Sequence, residues 1–212
     1  MCENGPVNFF FLMLNKKGSE TVNQESLLVA GYKPYELGIL SADHPGIPVI
    51  RYCLRNHLQE MADAGLKWVV ISGEPGVELW AAEETLKLKR TYPELKLAVL
   101  VPFLGQEERF KDWVRTQYQS VLEKADFTGA ISNRPYESPV QLRQKNDFLV
   151  AKTDGMLALY DEEKAGSPRY YLAAARKRAK RENYPVTLID RYDLELASED
   201  LREQDPDYWA QK

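Results

Sequence analysis

The chain has 212 residues, which is enough for one domain with a sizeable core. Apolar residues make up 44% and aromatic residues 11% of the sequence, as in an ordinary globular protein, so extensive disorder is not expected. The 28 basic and 32 acidic residues give a net charge of -4. Because nucleic-acid binding needs clustered basic side chains, this balance predicts that DNA is not a partner.

The cysteines and histidines limit the chemistry that the chain can support. Cys2 and Cys53 cannot form a disulfide framework and indicate a reducing, cytoplasmic compartment. His44 and His57 have no partners at metal-ligand spacing, so we predict no metal, no cofactor and no histidine-based triad. The apolar run at residues 9–14 is too short to span a bilayer, so no membrane association is expected.

From residue 26 onwards, short apolar runs alternate with longer amphipathic segments. The predicted strands are residues 27–30, 67–71, 96–101, 127–131, 155–160 and 186–189, and the predicted helices are residues 48–64, 77–90, 111–124, 139–152 and 167–181. Strands alternating with helices predict an α/β, Rossmann-like fold with a mostly parallel sheet of five to six strands and helices on both faces. We expect a poorly ordered extension at 1–26, the Rossmann-like domain at 27–191 and an acidic tail at 192–212.

The loops after the first two strands are the first candidates for a ligand site, because such sheets bind ligands beyond the carboxyl ends of their strands. Gly31 and Lys33 follow the first strand and suit close backbone approach to a phosphate, although an ordinary βα turn explains them equally well. Ser72, Gly73 and Gly76 follow the second strand and precede a helix N-terminus, where free N–H groups favour an anion.

Glu78 and Trp80 belong to the first turn of that helix. A carboxylate here repels a phosphate, so its functional interpretation is to accept hydrogen bonds from ribose hydroxyls. Trp80 is a candidate to stack on a base. The structural interpretations carry equal weight: Glu78 stabilises the helix dipole and Trp80 belongs to the core.

Two later loops supply further phosphate-binding candidates. The guanidinium of Arg134 matches anionic oxygens, unless its neighbouring prolines simply shape a turn. Gly166 and Ser167 precede another helix N-terminus and suit a second phosphate, although Ser167 also serves as an ordinary helix cap.

Together these loops resemble the YpsA family of Firmicutes, across roughly residues 27–190. The resemblance is carried by the runs GYKPYELGI, ISGEPGVELWAAE, NRPYESPVQLRQKNDF and TDGMLALYDEEKAGSPRYYL. That family belongs to the SLOG superfamily, with the DNA-processing protein DprA and the Lonely Guy phosphoribohydrolases. The resemblance implies a Rossmann-like fold, a nucleotide-type ligand, and Gly76, Glu78 and Trp80 as leading site residues. The PGGxGTxxE signature of the Lonely Guy enzymes is absent.

The resemblance leaves three functions open, and no catalytic residue is assigned. The first is a sensor or scaffold that binds a small nucleotide derivative, such as an ADP-ribose-like molecule, reports it to a protein partner, and acts in cell division or stress responses of Gram-positive bacteria. The second is a nucleotide-processing hydrolase or transferase that uses Glu78 as general acid or base. The third, which the charge balance disfavours, is DprA-like binding of single-stranded DNA.

Overall fold

The computed structural model describes Val7 and residues 24–204, which contain a six-stranded, all-parallel sheet. The strands are β1 (Ser26–Gly31), β2 (Trp68–Ile71), β3 (Lys96–Val101), β4 (Phe127–Ala130), β5 (Gly155–Leu159) and β6 (Val186–Ile189). Their order in the sheet is β4-β3-β2-β1-β5-β6. The predicted α/β, Rossmann-like fold class is confirmed.

Within residues 24–204, six α-helices connect or follow the strands. They are α1 (Gly46–Asp63), α2 (Val77–Leu88), α3 (Asp112–Lys124), α4 (Pro139–Lys152), α5 (Arg169–Ala179) and α6 (Arg191–Gln204), with short 3₁₀ turns at Pro34–Leu37 and Gln106–Arg109. Helix α1 packs on α2 and α6, and α4 packs on α5. The first five residues of β1 and all residues of β5 are buried, because helices cover both faces of this parallel sheet.

The prediction of an acidic tail from residue 192 is wrong for the residues up to Gln204. These residues form α6, which packs on the domain. Ala197 is buried, and Leu194 and Leu201 pack against the core. The spacing of these three residues places them on one helical face. The amide of Gln204 donates to the hydroxyl of Tyr52 on α1 at 2.9 Å. Residues 205–212 lie outside the described residues.

The predicted N-terminal extension falls mostly outside the described residues. At its end, Ser26 is already part of β1, and the carbonyl of Glu25 accepts hydrogen bonds from the backbone of Lys67 and Trp68. Val7 is buried, and a Cβ added at Gly129 of β4 would lie 2.6 Å from it. Among the described residues, no helix is long and apolar enough to cross a bilayer.

A pair of neighbouring substitutions tests the packing of α6. Ala197→Glu places a carboxylate against α1 and is expected to lower the free energy of unfolding by about 1–3 kcal/mol, because the buried charge has no partner. Leu196→Glu, at a position that is 61% exposed, is the control and should change it by no more than about 0.5 kcal/mol. Urea denaturation measures both values, and equal effects would contradict the docked helix.

Candidate functional site

The direction of strand order reverses between β1 and β5. From β1 the chain continues through β2, β3 and β4 on one side, whereas β5 and β6 lie on the other. The loops that leave β1 and β5 therefore diverge and open a crevice at the carboxyl edge of the sheet, which is the usual ligand position in open α/β folds.

Two neighbouring cavities lie at this edge. The larger has a volume of about 390 Å³ and is lined by residues that follow β1, β2, β3 and β4. The smaller, of about 220 Å³, lies beside the ends of β1 and β5 and against α4. Lys33, Glu74 and Leu142 line both cavities, so the two spaces adjoin.

The larger cavity combines an aromatic wall with basic side chains. Its aromatic residues include Phe103, Phe110, Trp113 and Tyr136, and its basic residues are Lys33, Arg109 and Lys111. The ring of Tyr136 lies 5.1 Å from that of Phe103, and the guanidinium of Arg109 stands 5.1 Å over the Tyr136 ring. Flat aromatic faces and cations together suit a planar, anionic ligand.

The loop after β2 is organised by the buried carboxylate of Glu78, which is 2% exposed. Its Oε2 accepts hydrogen bonds from the backbone N–H of Ser72 at 2.7 Å and of Glu74 at 3.2 Å, and from the Ser72 hydroxyl at 3.0 Å. Burial raises the pKa of Glu78 above its ordinary value, against the opposing effect of Lys145. Glu78 also lines the smaller cavity, but the hydrogen bonds of its carboxylate are made to the loop that precedes its own helix.

The side chain of Ser72 connects this loop to α4 and α5. Its hydroxyl accepts hydrogen bonds from the Nζ of Lys145 at 3.3 Å and from the hydroxyl of Tyr171 at 3.0 Å. The amide of Gln106 donates to the Ser72 carbonyl at 3.1 Å. Burial raises the pKa of Tyr171 well above its ordinary value, so this phenol stays protonated and acts as a donor.

Glu74 separates two lysines where the cavities meet. Its carboxylate lies 2.9 Å from the Nζ of Lys33 and 3.8 Å from that of Lys145. Burial acts to raise the pKa of Glu74, but the two ammonium groups lower it overall. Burial lowers the pKa of Lys145, with Glu74 and Glu78 opposing. The smaller cavity is therefore lined by charges that largely balance one another.

The predicted glycines lie at this edge, but contacts within the chain explain them. Gly76 has a φ of 91°, and a Cβ there would lie 2.6 Å from the carbonyl oxygen of Tyr32. A Cβ at Gly31 would lie 2.4 Å from the side chain of Val77. Gly73 has a φ of 74° and packs against Gln106. These glycines let the loops after β1 and β2 pack together and turn.

The predicted phosphate position at Gly166 and Ser167 is occupied by a carboxylate of the chain itself. Glu36 accepts hydrogen bonds from the Ser167 backbone N–H at 2.6 Å, from the Ser167 hydroxyl at 2.7 Å and from the Lys33 N–H at 2.7 Å. A Cβ at Gly166 would lie 2.3 Å from the Tyr32 ring. These two residues thus join the loops after β1 and β5, and Ser167 also lines the smaller cavity.

Of the ten predicted ligand residues, four line one or both cavities: Gly31, Lys33, Glu78 and Ser167. The loop residues Ser72, Gly73, Gly76 and Gly166 lie beside the cavities without lining them, and two further residues are directed away from the site. Trp80 is 1% exposed within the hydrophobic core and lines neither cavity, so its proposed stacking on a base is wrong. Arg134 also lines neither cavity. The loop after β4 directs its guanidinium to solvent, where it lies 3.9 Å from the carboxylate of Glu137.

Sequence reasoning missed the aromatic wall and the buried polar face of α4. Gln141, Lys145 and Leu149 are spaced by four residues and are all buried. This spacing places them on one side of the helix. The continuation of this spacing into Leu149 was the available signal, but the polar residue types at the first two positions conceal it.

Curated relatives from three bacteria cover most of the chain. A UPF0398 protein of Halalkalibacterium halodurans is 50% identical over 82% of this chain and 93% of its own length. The UPF0398 protein YpsA of Bacillus subtilis is 46% identical over 82% of this chain and 97% of its own length. A UPF0398 protein of Lysinibacillus sphaericus is 43% identical over 84% of this chain and 99% of its own length.

One similar solved structure corrects an expectation drawn from composition. It is DNA processing protein A from Helicobacter pylori, described by its single-stranded DNA binding mode, with 16% identity and a TM-score of 0.46 over 81% of this chain and 68% of that chain. The exclusion of DNA, which rested on net charge, is overturned by this neighbour and is withdrawn. At this similarity the comparison assigns no ligand to the present chain.

The last comparison concerns the domain as a whole. The family model YpsA, described as the YspA SLOG family, matches residues 27–194, which span the sheet from β1 to β6 and the start of α6. The chain therefore belongs to the YpsA family of SLOG proteins.

Proposed function

We propose that this protein binds a nucleotide derivative of the ADP-ribose class at the carboxyl edge of its sheet and acts as a sensor or scaffold. The larger cavity is the observation that carries this proposal. It offers aromatic faces for a base and three basic side chains for phosphates, next to a polar cavity. Base-on-aromatic stacking tolerates any base, so the polar neighbour must supply much of the selectivity.

The phosphates are assigned to the basic residues of the larger cavity. Arg109 and Lys111 follow β3, and Lys33 follows β1, so they approach the cavity from different loops. Lys33 is the one predicted phosphate ligand that lines the larger cavity, but it is paired with Glu74 at 2.9 Å, so Arg109 and Lys111 supply most of the positive charge for the phosphates. The helix N-terminus at Ser167 is already neutralised by Glu36 and is not needed.

Exposed apolar side chains near the larger cavity support a role in reporting the ligand to a protein partner. Tyr35 and Leu40 follow β1, and Leu104 follows β3, and all three are exposed. Tyr35 also lines the larger cavity. A ligand that contacts this loop alters a surface that a partner protein can bind.

The alternative, a hydrolase or transferase that uses Glu78, is less well supported. A general acid or base must reach the proton that it transfers. The Glu78 Oε2 already accepts three hydrogen bonds from Ser72 and Glu74, so this carboxylate is committed to the loop. Binding without catalysis by Glu78 is the better interpretation of this geometry.

The aromatic and basic wall gives the first prediction. Tyr136→Ala and Arg109→Ala should each weaken the binding of ADP-ribose about tenfold, because stacking and charge contacts are lost. Tyr192→Ala and Arg191→Ala are matched controls, since that exposed pair stacks in the same way at 4.7 Å but lies on α6. Isothermal titration calorimetry measures the affinities. Equal effects in both pairs, or no binding of ADP-ribose by the wild type, would refute the proposal.

A second prediction separates the structural and chemical interpretations of Glu78. Glu78→Gln keeps one oxygen that can accept from the N–H groups of Ser72 and Glu74 but removes the negative charge that strengthens these hydrogen bonds. The free energy of unfolding should fall by about 1–3 kcal/mol. Glu123→Gln, at an exposed position of α3, should leave it unchanged. A Glu78→Gln protein that is as stable as the wild type in urea denaturation would show that the carboxylate does not hold the loop.

A further inference from the structure

Two neighbouring residues on α4, Lys145 and Asn146, line the smaller cavity and carry polar groups that the described part of the chain leaves largely unused. Lys145 is 4% exposed and Asn146 is 8% exposed. The Oδ1 of Asn146 is buried and, among the described residues, has no hydrogen-bond partner. A buried polar atom without a partner is unfavourable and calls for an explanation.

The ammonium of Lys145 is also incompletely satisfied. Within the described residues its recorded hydrogen bond is the one to the Ser72 hydroxyl at 3.3 Å, while the Glu74 oxygen lies further away at 3.8 Å. The Nζ stands 4.4 Å over the ring of Tyr171, which accepts no conventional hydrogen bond. An ammonium has three donors, so it has capacity for an oxygen of a ligand.

These groups define the chemistry of what fits. The ligand must present an acceptor to Lys145 and a donor to Asn146. A fully ionised phosphate has no donor for the Oδ1 of Asn146 and would meet the carboxylate of Glu78, which lines the smaller cavity and not the larger one. A purely apolar group would leave both polar groups unsatisfied. Hydroxyl groups donate and accept, so a diol satisfies both residues at once.

We infer that the smaller cavity is a subsite for a polyhydroxylated sugar, with Lys145 and Asn146 as its specificity-determining residues. This inference rests on the proposed function and deepens it. A volume of about 220 Å³ is below the roughly 300–1,000 Å³ of pockets that hold whole ligands, so this cavity takes one part of a larger molecule. The base and diphosphate occupy the adjoining larger cavity. The ligand class is then a nucleoside diphosphate that carries a second sugar, rather than a simple nucleotide.

The test compares two probes, ADP-ribose and ADP, which differ by the second ribose. The wild type should bind ADP-ribose at least about tenfold more tightly than ADP, because only the former reaches Lys145 and Asn146. This comparison uses the unmodified protein, so it does not depend on whether any variant folds. Binding of both probes with equal affinity would overturn the sugar subsite while leaving the proposed function intact. Binding of neither probe would refute the proposed function itself.

Substitutions on α4 then assign the subsite to its residues. Asn146→Leu and Lys145→Met should each reduce the affinity for ADP-ribose about tenfold and leave the affinity for ADP within about twofold. Gln144→Leu, on the exposed face of the same helix, is the matched control and should change neither affinity. Calorimetric titrations of each folded variant measure these ratios. If both variants keep the wild-type preference for ADP-ribose, or lose affinity for both probes equally, the assignment is wrong.

Discussion

The geometry of the whole candidate site depends on the buried carboxylate of Glu78. It binds two backbone N–H groups and one hydroxyl of the loop that precedes its own helix, and so holds that loop in one conformation. Ser72, fixed in this way, receives hydrogen bonds from α4 and α5. Without this anchor, Lys145 and Tyr171 would have no common acceptor, and the walls of the smaller cavity would lose their connection.

A second carboxylate, that of Glu36, holds two loops together on the other side of the crevice. It bridges the loop after β1 to the N-terminal end of α5 through Lys33 and Ser167. A helix N-terminus attracts an anion whether the anion is a ligand or part of the chain. Here the chain supplies it, so the loops are held together before any ligand binds. This arrangement removes one predicted phosphate position and leaves recognition to the side chains of the two cavities.

The sequence predicted the fold much better than the site. All six strands and the five predicted helices are found within a few residues of their predicted bounds, because buried parallel strands are short apolar runs that stand out between amphipathic helices. Helix α6 was missed because acidic residues hide its three apolar positions. The loops at the site were located correctly, but residue types alone do not reveal side-chain direction. Trp80 and Arg134 therefore looked suitable although one is enclosed in the core and the other points to solvent.

The distribution of charge at the crevice follows a simple electrostatic logic. Around the smaller cavity Lys33 and Lys145 are neutralised by Glu74 and Glu78, whereas Arg109 and Lys111 of the larger cavity have no carboxylate ion pair recorded within the described residues. A phosphate gains most where positive charge is not already compensated. Neutral hydroxyl groups gain most where donors and acceptors are mixed and enclosed, because desolvated polar groups need matched partners. The two cavities thus suit the two ends of the proposed ligand, an anionic aromatic end and a neutral polar end.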